Sequence, residues 1–231
     1  MDAEVVIIGG GPVGCTFAAQ TATFTTVVVE EHAEIGSPVQ CAGLVHPRVV
    51  EMADAQDTVV NTITGLRLVP PGGKALEVRS TETKAVVIDR RKFDHKCCER
   101  AVREGADILE GHEFLGFGRE GKRLSVKVRG PEGPLTLEAD LLVGADGYKS
   151  RVGKIAGLGP AKESIRGIQV DLDVRMEDPS MVEVHIGQRI APGFFAWVIP
   201  CGDFTRIGLG VSQAGGPPSG HLTAFLKKRG F

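Results

Sequence analysis

The sequence has almost no imbalance of charge: 27 Lys and Arg against 29 Asp and Glu leave a formal charge of −2. A nucleic-acid binder carries a strongly basic domain or stripe, so nucleic acid is not expected as a partner. Paired cysteine motifs are missing as well. Cys15, Cys41, Cys97, Cys98 and Cys201 are odd in number and show no C-x-x-C spacing. That pattern gives no sign of a disulfide framework or a cysteine zinc site, and it fits a reducing compartment. His32, His46, His95, His112, His185 and His221 have no ligand spacing, Asp171 with Asp173 reads as strand alternation, and no metal is expected. Repeats and low-complexity segments are lacking.

A long uncharged stretch, Val5 to Val29, is the one false signal of a membrane span. It contains Gly9, Gly10, Gly11, Pro12 and Gly14, which a spanning helix would not tolerate well. The first residues, Met1-Asp2-Ala3-Glu4, are acidic where a secretory signal is basic. A cytoplasmic protein is the expectation. With 42% hydrophobic and 24% charged residues the composition is globular. What is in excess is glycine, 31 of 231 residues and about twice the usual share, without a Gly-X-Y period.

The pattern predicts a strand at Glu4–Ile8, a helix over Gly14–Phe24 carrying Ala18 and Ala22, and a strand at Val27–Glu30, together a βαβ unit. Residues 36–45 read as a loop and Arg48–Ala53 as a short helix. Strands are expected at Ile63–Val69, Ala75–Val78 and Ala85–Ile88. Arg91–Glu104 is an amphipathic helix with Phe93, Cys97 and Ala101 on one stripe, ended by Gly105. Strands then follow at 107–110, 113–118, 123–129 and 135–143, and a short helix at Ser150–Ala156. The last third alternates strands at Gly167–Val174, Val182–Ile186, Phe194–Ile199 and Thr205–Val211 before a helix from His221.

Gly9-x-Gly11-x-x-Gly14, between the first strand and helix, is the sharpest motif. Gly9 permits the tight turn, Gly11 lets backbone approach a pyrophosphate, and Gly14 allows close helix–strand packing. The helix N-terminus supplies oriented N–H donors. Glu30, at the end of the second strand and preferred over Glu31, can accept from ribose hydroxyls. Far downstream, Gly144-Ala145-Asp146-Gly147 follows an apolar strand and can present the Asp146 carboxylate to a cofactor's polar linker; an ordinary Asx turn is the alternative.

These two motifs together resemble the signature of FAD-binding oxidoreductases of the aromatic-hydroxylase type. Asp89-Arg90-Arg91-Lys92-Phe93-Asp94 is similar to that superfamily's R-x-x-F-D helix start, whose arginine reaches the FAD phosphates. Arg90 has the matching position, with Arg91 its neighbour. Glu34-Ile35-Gly36-Ser37-Pro38-Val39-Gln40-Cys41-Ala42-Gly43-Leu44 resembles a loop of the geranylgeranyl reductases. Pro192-Gly193-Phe194-Phe195-Ala196-Trp197-Val198-Ile199-Pro200, which holds the only Trp, resembles their P-x-x-Y-x-W-x-F-P substrate motif.

The resemblance implies an FAD enzyme that saturates isoprenoid double bonds in a lipid or prenyl substrate, with an unidentified electron donor and transient contact with a membrane surface. Its fold would be α/β: a Rossmann-like FAD-binding domain over 1–61 and 89–158, and an α+β antiparallel-sheet substrate domain over 62–88 and 159–231. By the same match Val13 and Gly14 contact the FAD phosphates, and Glu30 the ribose. Cys41, Ala42 and Gly43 offer backbone on the flavin side, Phe114 approaches the adenine through its main chain, and Asp146 and Gly147 complete the cofactor set. Phe195 and Trp197 share one strand face and line the substrate site. Cys41 is the candidate catalytic side chain, in proton relay or flavin tuning. The family's Glu after Cys41-Ala42 is not there. Its third FAD segment also has no counterpart before Phe231, because Gly202-Asp203 lies in a hairpin, so a C-terminally truncated chain is expected. An FAD monooxygenase or halogenase, and a non-catalytic FAD-fold binding module, are the competing readings.

Overall fold

A computed structural model describes residues 2–21, 23–159 and 161–231. The chain begins β1 (Asp2–Ile8), α1 (Pro12–Ala19), β2 (Thr26–Val29), β3 (Leu44–Val45), α2 (Pro47–Ala53), β4 (Val59–Ile63) and β5 (Gly65–Val69). It continues β6 (Leu76–Arg79), β7 (Ala85–Ile88), α3 (Arg90–Arg103), β8 (Asp107–Leu109), β9 (Glu113–Glu120), β10 (Arg123–Gly130) and β11 (Gly133–Gly144). The last part is α4 (Arg151–Ile155), β12 (Ile165–Leu172), β13 (Met181–Ile186), β14 (Phe195–Pro200), β15 (Thr205–Ser212) and α5 (Pro218–Arg229).

The chain divides into two compact units: Met1–Gln40 with Ala53–Ala55 and Arg90–Ala161, and Cys41–Met52 with Gln56–Asp89 and Lys162–Phe231. Residues 41–52 and 56–61, which the sequence reading grouped with the first domain, pack in the second unit.

The first unit is built on a six-stranded sheet of order β8-β2-β1-β11-β10-β9. β8, β2, β1 and β11 are parallel, and β10 and β9 run antiparallel to their neighbours. The uninterrupted runs Val5–Ile8 and Thr26–Val29 are buried throughout. Strands covered on both faces need that kind of sequence, and the alternation seen in half-solvated strands is absent from them. α1 packs against α3, which buries Phe93, Cys97 and Ala101. α1 stops at Ala19 and does not run on to Phe24: the Thr21 hydroxyl donates to Ala18 O at 2.8 Å and lies 2.9 Å from the Thr26 hydroxyl. Side chains that bond the local backbone in this way offer it an alternative to helix. The helical position expected for Ala22 lies outside the described residues.

The second unit holds a six-stranded sheet, β12-β15-β14-β13-β5-β6, and a three-stranded one, β3-β7-β4. All neighbours are antiparallel except β13 and β5. Ala196, Val198, Ile207 and Leu209 form one core with Leu222 and Phe225 of α5. Ile199 packs instead with Ile63, Val87, Val182 and Cys201, and Trp197 lies against that second cluster.

One expected strand proved to be two. Residues 63–69 divide at Thr64, β4 pairing with β7 and β5 with both β6 and β13. A Cβ at Gly65 would collide with the Met181 sulfur, so a larger residue there would require the Met181 side chain to move. Leu44–Val45, expected in a loop, pairs with Val86–Val87 as β3.

Candidate functional site

The parallel pairing of β1 with β11 sets the glycine turn beside the Ala145–Asp146 turn, and Ala145 N–H donates to Ile8 O at 2.7 Å. Gly9 has φ +107°, and a Cβ there would strike the Ala145 carbonyl; a Cβ on Gly14 would strike the carbonyl oxygen of Gly9. Both positions therefore demand glycine on packing grounds. Gly11 differs, because nothing lies within 4 Å of where its Cβ would be.

That open space belongs to a cleft of about 820 Å³ in the first unit, lined among others by Gly9, Gly11, Val13, Glu30, His32, Arg90, Phe114, Asp146 and Gly147. α1 enters it uncapped: Gly11 supplies no side chain, Pro12 no N–H, and the first turn holds no acid. The first backbone donors of a helix have no intrahelical acceptor, and the helix dipole makes that end positive. An anion at Val13 and Gly14 would satisfy them. Val13 is 74% exposed.

Glu30 is 8% exposed and well partnered. Its Oε2 accepts from Gly10 N–H at 2.7 Å, and its Oε1 from His32 N–H at 2.9 Å with the His32 Nδ1 2.6 Å away. Sequence reasoning missed Gly10 and His32; nothing but their closeness to Gly9 and Glu30 marked them.

Arg90 lines the cleft, but its guanidinium holds Asp94 through two bonds, Nε at 3.1 Å and Nη2 at 2.9 Å. One helical turn separates the two, so the pair is local to α3. Burial raises the Asp94 carboxyl above its ordinary range, against the pull of Arg90. Arg91 reaches Ser37 Oγ at 3.1 Å. Asp146 also lines the cleft, with both oxygens turned to the start of α4. Oδ1 accepts from Ser150 Oγ at 2.6 Å, and Oδ2 from the N–H groups of Arg151 at 2.7 Å and Val152 at 3.0 Å. Its carboxylate shows the turn-capping geometry, and Gly147 follows it with φ +72°. Phe114 is buried in the core, and its carbonyl accepts from Arg151 Nη1.

Cys41, Ala42 and Gly43 belong to the second unit. Cys41 O accepts from Gln169 Nε2 at 3.2 Å, Ala42 O from Arg206 Nη1 at 2.9 Å, and Gly43 O from Ile88 N–H at 2.9 Å. Gly43 N–H points at the Cys41 sulfur, 3.4 Å away. On β14 the Phe195 and Trp197 rings meet edge to face at 6.2 Å and 72°, and Phe194 stacks on Phe195 at 4.1 Å. Gly208 leaves room for the indole, since a Cβ there would collide with it. Trp197 Nε1 is buried without a hydrogen-bond partner among the described residues. Gln169 and Arg206 went unnoticed in the sequence, since only strand pairing brings them to the loop.

Residues 2–215 match the FAD binding domain family. The chain belongs to that family. FAD is its cofactor, and the cleft fits it: an uncapped helix N-terminus, an open Cβ position at Gly11 and a carboxylate at the end of β2. The chain is 28% identical to a digeranylgeranylglycerophospholipid reductase of Methanocaldococcus jannaschii, over 97% of this chain and 59% of that one. It is 27% identical to a geranylgeranyl bacteriochlorophyll reductase-like structure from Thermoplasma acidophilum, with TM-score 0.90 over 98% of this chain and 62% of the other. A myxobacterial chondrochloren halogenase, 22% identical with TM-score 0.75 over 98% of this chain and 57% of its own, shares the fold. This FAD-binding chain thus spans about three fifths of the length of such relatives. Among the described residues, no group of three or more His, Cys, Asp or Glu is placed to hold a metal, and no helix is long and apolar enough to cross a membrane.

Proposed function

We propose that this chain carries the FAD-binding part of a reductase that saturates the carbon–carbon double bonds of lipid-linked geranylgeranyl chains. The observation that carries the reading is the likeness to digeranylgeranylglycerophospholipid reductase along 97% of the chain. The first unit is assigned to the cofactor and the second to the isoprenoid. The halogenase likeness, at 22% identity, supports no more than a shared architecture.

When bound and reduced, the flavin would supply the hydride for one alkene carbon. In this reading the residues of the chain bind and orient. The α1 N-terminus with Val13 and Gly14 holds the phosphates, Glu30 takes the adenosine ribose, and Phe114, Asp146 and Gly147 complete the cleft wall. Arg90, which lines the same cleft with its charge held by Asp94, would meet the phosphates. Phe195 and Trp197 give an isoprenoid chain an apolar, aromatic wall that excludes water. Cys41, Ala42 and Gly43 are assigned to the flavin through their backbone, and the Cys41 thiol would bear the proton for the second alkene carbon. Electrons come from an external donor, and the lipid substrate implies transient contact at a membrane surface.

The test uses FAD-loaded protein, dithionite as reductant and digeranylgeranylglycerophospholipid in detergent micelles. Mass spectrometry should show hydrogen added pairwise to the substrate, and Cys41→Ser should slow that addition without releasing FAD. Bound, reduced FAD that leaves the lipid unchanged overturns the reading. So does oxygen consumption coupled to hydroxylation or halogenation of an aromatic substrate.

A further inference from the structure

We propose that His32 is an internal competitor for the adenosine ribose: its imidazole holds the acceptor position on Glu30 that one ribose hydroxyl must take, and so it limits how tightly this chain holds FAD. The inference rests on FAD as the cofactor and concerns a side chain that the family motif does not include.

A carboxylate offers about four acceptor positions, two on each oxygen. Around Glu30 three are filled. Oε2 takes Gly10 N–H at 2.7 Å, while Oε1 takes both His32 N–H at 2.9 Å and His32 Nδ1 at 2.6 Å. The backbone donors are fixed. Gly10 lies in the glycine turn, and the chain around His32 is stitched down by Gly111 N–H to His32 O and His112 N–H to Glu30 O, each 2.8 Å. The imidazole is not fixed in that way: its side chain is 41% exposed and turns on two single bonds.

Ribose brings two vicinal hydroxyls to one carboxylate. The first has the remaining position on Oε2. The second needs Oε1, where the ring now sits, in a short bond of the charge-assisted length range. The His32 ring therefore leaves when a ribose with both hydroxyls arrives, and the bond it gives up is subtracted from the affinity. A sugar with one hydroxyl fits without displacing it.

Calorimetry on purified full chain freed of flavin tests this with FAD, ADP, 2′-deoxy-ADP and FMN. His32→Ala and His32→Ser should each bind FAD and ADP about three- to tenfold more tightly than the unmodified chain, the size expected for one exposed charge-assisted bond. Their affinity for 2′-deoxy-ADP and FMN should not change. Equal or weaker binding of ADP by both variants overturns the proposal, as does an equal gain for 2′-deoxy-ADP. A Glu30→Ala variant that binds ADP as well as the unmodified chain overturns it by removing Glu30 from the ribose. Failure of every protein to bind FAD, FMN or ADP would instead remove the cofactor assignment and this inference with it.

Discussion

Arg206 donates to the carbonyl of Ala42 at 2.9 Å while its Nε and Nη2 hold Asp171, each at 2.8 Å. The Arg206 side chain is 11% exposed, so the clamp is shielded from water on the arginine side. β15 and β12 are thereby tied to the loop that carries Cys41. Asp171 lies opposite Arg206 in the strand register, which pre-positions the guanidinium.

Replacement of Arg206 by Ala should cost about 2 kcal/mol in urea unfolding, since it leaves the Ala42 carbonyl unpaired and removes a bidentate contact. Amide hydrogen exchange at residues 41–43 should quicken more than exchange in β14. Unchanged protection of the loop would show that the Ile88 and Gln169 bonds alone hold it.

The glycine turn predicts two different failures. Gly11→Ala places a methyl in open space, so the protein should keep its unfolding midpoint and bind FAD more weakly. Gly14→Ala drives a methyl into the Gly9 carbonyl and should lower the unfolding midpoint outright. Flavin absorbance after gel filtration, together with thermal melting, separates the two outcomes.

Glu183 is buried, which pushes its carboxyl up, but the His185 hydrogen bond and the Arg229 and Arg67 charges outweigh that and hold it below the ordinary 4.5. A carboxylate depressed in the folded state stabilises fully above its unfolded value, and the contribution is lost as pH falls through the folded one. Stability measured by urea should therefore drop on acidification below about pH 4.5. Arg229→Leu should weaken the protein by about 2 kcal/mol at neutral pH and flatten that acid limb. An acid limb of unchanged steepness in the variant would detach the effect from Glu183.

Cys98 should be alkylated before Cys15 or Cys97. The hydrogen bond from Cys15 lowers the Cys98 thiol, whereas that same contact and burial raise Cys15. Burial pushes Cys97 up to about 11. Peptide mapping after brief iodoacetamide treatment at neutral pH reads the order directly, since thiolate is the reacting form. The adjacent Cys97 and Cys98 also differ in burial: Cys97 lies on the buried stripe of α3, and Cys98 is half-buried.

The β1–α1–β2 unit, the glycine turn and the α3 helix were legible because each rests on neighbours in sequence: a β-branched run, Gly9 to Gly14, and the stripe Phe93–Cys97–Ala101. What misled is equally particular. Thr21 ends α1 through a hydroxyl bond to Ala18, and Thr64 passes the chain from one sheet to another; the first depends on a rotamer, and at the second the Thr64 and Gly65 amides donate to Ser180 O, far along the chain. Arg90 and Asp146 both line the cleft of the first unit, but their bonds to Asp94 and to the α4 amides come from spacings of four to six residues that the motifs do not encode.

The sequence alone showed the Gly9–Gly11–Gly14 turn between a strand and a helix and placed a carboxylate at the end of β2, whereas the collisions that bar any other residue at Gly9 and Gly14 come from the fold. It also put Phe195 and Trp197 on one face, as a period of two requires. Only the tertiary structure decided that the second oxygen of Glu30 is held by His32, that Arg206 anchors the Cys41 loop, and that residues 41–52 pack with the second unit. Those outcomes depend on strand register and on side-chain rotamers brought together by distant pairings, which local spacing does not encode.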